Sequence, residues 1–125
     1  MSRILLTIAL VSMASPVFAS NWVVIGRADN ALTSIDTESI GPVMGKFRQV
    51  WEKVVYEPPK PDGTTKTVSL WYYNCPDRLA AVKAYRVFIS TVAEPPMVTV
   101  PNEALVWAPS PPDSIGAQDF KVMCK

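Results

Sequence analysis

The run Thr67-Val68-Ser69-Leu70-Trp71-Tyr72-Tyr73-Asn74-Cys75 decides how this chain folds. It is rich in β-branched and aromatic residues, closes on Pro76-Asp77, and carries one of only two cysteines. That composition predicts a central strand. The other cysteine, Cys124, is the penultimate residue. A bond between the two would pin the tail onto this strand and close a loop of roughly 50 residues.

Downstream, Pro76-Asp77 suits the middle of a type I turn. Residues 79–90 then read as the returning strand, although Leu79-Ala80-Ala81-Val82-Lys83-Ala84 is also helix-prone. With an even loop length, Trp71 and Tyr73 share a face with Ala80, Val82 and Ala84. The opposite face then carries Tyr72, Asn74, Lys83 and Tyr85; an odd loop flips the second strand. Tyr72, Lys83, Tyr85 and Arg86 are the candidate binding surface, because large amphipathic rings beside cations suit recognition. The tryptophans at 22, 51, 71 and 107 are assigned chiefly to packing.

Upstream, residues 46–57 are two-sided. Phe47, Val50, Trp51, Val54 and Val55 fall at the spacing of an amphipathic helix. Their valine and aromatic content, the lack of a cap and the Pro58-Pro59 stop argue for a strand. On residues alone the two readings balance. Pro58 to Gly63 reads as an exposed loop with Asp62-Gly63 as its turn. Residues 21–26 and 32–36 make an opening hairpin, and residues 37–42 a loop ending at Gly41-Pro42. Met97 to Val100 and Ala104 to Trp107 are edge strands or extended loop, given their prolines. Ser110-Pro111-Pro112-Asp113-Ser114 is a good helix entry offering two possible caps, and a helix can run over residues 115–124 with Ala117, Phe120 and Cys124 on one side. Such a helix is too short to persist alone.

The first 19 residues have a basic start, an apolar run and small residues at the end, Val17-Phe18-Ala19. This predicts a secretory signal cleaved after Ala19, in preference to a membrane anchor or a core segment. One domain, residues 20–125, follows. No cysteine follows the apolar run, so a lipid anchor is not expected. An exported chain with two cysteines points to one disulfide.

Twelve lysines and arginines face eleven acidic residues, and Arg3 lies in the leader, so the rest is formally neutral. A basic footprint for nucleic acid is therefore absent. Histidine is missing entirely, which removes the commonest general base, zinc ligand and haem ligand. No nucleophile elbow, phosphate loop or Cys-x-x-Cys pair occurs. Asp36 with Glu38, or Glu52 with Glu57, are formal glycosidase pairs, but solvated charge explains them better. No catalytic residue, metal or cofactor is expected.

The order of Asn21-Trp22, Gly26, Ser34-Ile35-Asp36, Ser39-Ile40, a valine-rich segment with Trp51 and Tyr56, Asn74-Cys75, Trp107, and Pro112-Asp113-Ser114-Ile115-Gly116 leading to Cys124 resembles the surface-adhesin protein E family of Gram-negative bacteria. The resemblance implies an α+β domain: an antiparallel sheet of about six strands with a C-terminal helix on one face, tied by a Cys75–Cys124 disulfide. It also moves residues 46–57 to strand. Functionally it implies a non-enzymatic, adhesin-like protein that binds extracellular-matrix or other protein partners, without a membrane span, and it allows a homodimer. The location implied is periplasmic, secreted or cell-surface. The alternative is a periplasmic accessory or structural domain with an internal partner.

Overall fold

The computed structural model describes residues 20–125; the expected signal peptide lies outside the described residues. The chain lays down β1 (Trp22–Ala28), β2 (Ala31–Val43), β3 (Phe47–Tyr56), β4 (Thr64–Asn74), β5 (Leu79–Ile89) and β6 (Val98–Thr99), then a 3-10 turn (Asn102–Ala104) and helix α1 (Ile115–Met123). The six strands form one sheet in sequence order, each antiparallel to the next. The expected α+β fold with a helix tied across one face is what the structure shows.

Because side chains alternate along a strand, cross-strand partners share a face. On the first face Ile35 of β2, Val50 of β3, Tyr73 of β4 and Ala80 of β5 are buried beneath Phe120 and Met123 of α1. Phe120 stands edge-on to Tyr73 with ring centroids 5.0 Å apart. The helix starts at Ser114, whose hydroxyl accepts a hydrogen bond from Ala117 N at 3.1 Å. Its first residue, Ile115, seats against Gly26, where an added Cβ would lie 3.0 Å from the isoleucine Cγ1. At the far end Cys124 is bonded to Cys75, just beyond β4, with Cα atoms 5.5 Å apart. One end of the helix is thus fitted to β1 and the other is covalently fixed beside β4.

Two expectations change, and one open alternative is closed in favour of the strand expected. Residues 37–42 belong to β2 rather than to a loop. The β2–β3 register shifts between Asp36 and Gly41, and Ser39 repairs the ladder there. Its hydroxyl donates to Asp36 O at 2.7 Å and accepts from Trp51 N at 2.9 Å. The helical alternative for residues 79–84 is not realised, since β5 pairs with β4 on both sides of a bulge at Lys83. Finally, a bulge between Leu70 and Trp71 pairs Leu70 with Ala84 but Trp71 with Val82. Ala80 and Val82 keep the face expected for them, while Ala84 moves to the second face and Tyr85 to the first.

Candidate functional site

Among the described residues, no helix packs on the second face of the sheet. Register places three rows across it: Trp22, Asp36, Trp51 and Leu70; then Lys53, Val68 and Arg86; then Val55, Lys66 and Phe88. Every member except Asp36 is half-buried rather than sealed. Lys53 lies over the Trp22 ring at 4.3 Å and Lys66 over the Phe88 ring at 4.3 Å. Asp36, the acidic member, is committed to backbone: its Oδ1 accepts from Asn21 N at 2.9 Å and Glu38 N at 3.1 Å. Arg86 Nε has no hydrogen-bond partner among the described residues. What remains is an aromatic and apolar surface carrying Lys53, Lys66 and Arg86, with Arg27 at its β1 edge in the row of Val55, Lys66 and Phe88.

The four residues singled out from sequence do not form one exposed patch. Tyr72 is only 7 % exposed; its ring is on the second face, near the end where Phe47 and Trp107 meet at a centroid distance of 4.8 Å. Lys83 sits at the bulge, and its ammonium donates to Val100 O at 2.6 Å and Asn102 Oδ1 at 2.7 Å. Tyr85 lies on the first face, lining a groove of about 350 Å³ with Trp71, Val82, Val100 and Val106. Arg86 alone joins the open second face. The even alternation assumed across residues 82–86 is broken by the bulge, so one inserted residue separates the cluster.

Sequence reasoning missed Trp22, Trp51, Lys53, Val68 and Leu70 as a shared surface. The signal was present in Trp51-x-Lys53-x-Val55, a period of two, but the helical spacing of the same segment concealed it. All four tryptophans are half-buried; Trp71 packs against the core and Trp107 against Phe47, while Trp22 and Trp51 share the second face.

Beneath α1 lies a second polar feature. A cavity of about 270 Å³ is lined by Thr33, Glu52, Trp71, Tyr73, Ser110 and Asp119, among others. Asp119 is 2 % exposed, and its Oδ2 accepts a hydrogen bond from the Tyr73 hydroxyl at 3.2 Å. Burial, then the neighbouring Asp119 carboxyl, pushes Glu52 up to about 8. Burial also raises Asp119, while hydrogen bonding to Glu52 and Tyr73 moderates the effect. The Tyr73 hydroxyl is held well above its ordinary value by burial and by the two carboxyls. Asp36 and Glu52 are not the solvated charges expected from sequence, since Asp36 is buried and Glu52 largely so, and neither carboxylate pair is formed as such. Glu52 and Glu57 are five residues apart, so alternation separates them, and Asp36 is tied to backbone N–H groups. Among the described residues no group of three potential ligands could hold a metal ion.

A meander sheet with one face closed by a disulfide-tied helix and an aromatic, basic second face defines a small stapled α+β domain. The family profile of surface-adhesin protein E matches residues 22–125, and the chain belongs to that family. No curated protein and no solved structure matches it. Membership suggests a surface adhesin in an exported or cell-surface location, and implies a non-enzymatic role. No helix among the described residues is long and apolar enough to cross a membrane.

Proposed function

We propose that this is an exported, non-enzymatic binding protein of the adhesin type, synthesised with a Sec signal peptide cleaved after Ala19. Its partner is a protein surface, such as an extracellular-matrix glycoprotein, that presents apolar and acidic groups to the second sheet face. The observation supporting this reading is the pair of adjacent rows built on Trp22, Trp51, Leu70, Lys53, Val68 and Arg86, which join large apolar side chains to cations. Tryptophan and arginine are the side chains that most often dominate interface energetics. Cations around such a centre speed encounter with an acidic partner and exclude basic ones.

The test is saturable binding of the purified oxidised protein to immobilised matrix glycoproteins. Trp51→Ala and Lys53→Glu, each shown to be folded by circular dichroism, are expected to weaken Kd by about tenfold or more. Tyr85→Ala, on the other face, leaves Kd unchanged. Absence of saturable binding, or equal loss from Tyr85→Ala, overturns the proposal. N-terminal sequencing of the exported protein tests the cleavage position, and accessibility to antibody on intact cells tests the surface location against an internal one.

A further inference from the structure

The pairing of Glu52 with Asp119 has a role that partner binding does not use. Tyr73 satisfies Asp119 Oδ2, but Oδ1 of the same carboxyl is buried without a protein donor. The groups facing it are Glu52 from β3, Tyr73 and Trp71 from β4, Thr33 from β2 and Ser110 from the segment before the helix. Among the described residues, no lysine or arginine lines the cavity. Two ionised carboxylates there would repel each other without a compensating cation. One proton on Glu52 removes the repulsion and supplies the donor that Asp119 Oδ1 lacks.

We propose that Glu52 and Asp119 share a single proton that latches α1 to the sheet. The N-terminal half of the helix is held firmly in mildly acidic medium and loosens toward alkaline medium, while the disulfide keeps its other end in place. Glu52 belongs to the sheet and Asp119 to the helix, so the shared proton spans the contact that would have to open. Ile115 and Gly116, the residues that would move first, line the same cavity.

The direction follows from proton uptake. With the helix undocked, both carboxyls meet water and ionise near their ordinary values of about 4. Docked, Glu52 keeps its proton up to about 8. Docking therefore takes up a proton between those limits, and its equilibrium constant falls about tenfold for each pH unit through that window. It is largest and flat below the window, and flat again above it.

Native-state hydrogen exchange on the oxidised protein, with α1 amides referred to β4 amides at each pH, measures the local opening. The wild-type opening constant of the helix is expected to rise about fiftyfold from about pH 6 to about pH 8. Glu52→Gln replaces the labile proton with a permanent amide donor, and its opening constant stays within about twofold over the same range. Carbon-13 titration of the wild-type carboxyls should show one of the pair protonated at neutral pH. Both carboxyls titrating in the ordinary acidic range overturns the proposal, even if the variant does not fold. So does helix protection that changes in parallel with β4, or a variant with the wild-type slope.

Discussion

Severing the tether by Cys75→Ala with Cys124→Ala should destabilise the domain far more than two half-buried side chains would suggest. The bridge spans 49 positions in sequence, and closing a loop of that size removes denatured-state entropy worth about 4 kcal/mol in the chain-entropy model. Domains of this size are stable by only about 5–15 kcal/mol, so the share is large. The effect should also be localised. Helix α1 has nine residues, below the length at which an isolated helix persists, and Cys124 is its cap residue. Without sulfur, the tail is held by Phe120, Met123, the seat of Ile115 on Gly26 and the buried polar contacts of Asp119 with Tyr73 and Glu52. In urea, with a slope of about 2 kcal/mol per molar, the unfolding midpoint should fall by about 2 M. Tryptophan fluorescence and far-ultraviolet circular dichroism, recorded on oxidised wild type and double variant together, provide the measurement. A midpoint that falls by less than about 0.5 M would refute the reasoning, because packing alone would then hold the tail.

Two further substitutions test the same contact. Phe120→Ala removes a ring that is 3 % exposed and edge-on to Tyr73, and should cost about 3–5 kcal/mol in urea unfolding. Gly26→Val places atoms where even a Cβ lies 3.0 Å from Ile115 Cγ1; overpacking of about 1–3 kcal/mol should appear as a lowered Tm, and a Tm at or above wild type would show that the helix start is not seated there.

Much of the frame was legible because it rests on local chemistry. The β-branched and aromatic run before Cys75, the Ser114 cap and the prolines that restrict the 95–112 segment each carry their own signal. The strand at residues 47–56 was not decided by periodicity, since Phe47, Val50, Trp51 and Val54 fit a helix as well. What decides it is pairing: β2 and β4 satisfy its backbone on both sides, a non-local fact. The four residues of the candidate surface are parted for a related reason. One unpaired residue at the Leu70–Trp71 bulge moves Tyr85 to the other face, and bulges leave little trace in composition. The carboxyl pair was hidden for a third reason, because Glu52 and Asp119 lie far apart in sequence and meet only when α1 folds back over the sheet.

Alternation along β3 explains why one strand serves two environments. Trp51, Glu52 and Lys53 are consecutive, yet Glu52 faces the cavity beneath α1 while its neighbours face outward. Inside, a polar group must find a partner within the protein, and burial favours its uncharged form. Outside, a lysine can lay its charge against a ring and remain available to a partner, as Lys53 does on Trp22. A carboxyl on the inner side is therefore set up to hold a proton, and a cation on the outer side to meet an opposite charge. The sheet separates these tasks by no more than the thickness of its own backbone, and the stapled helix makes the two sides chemically unlike.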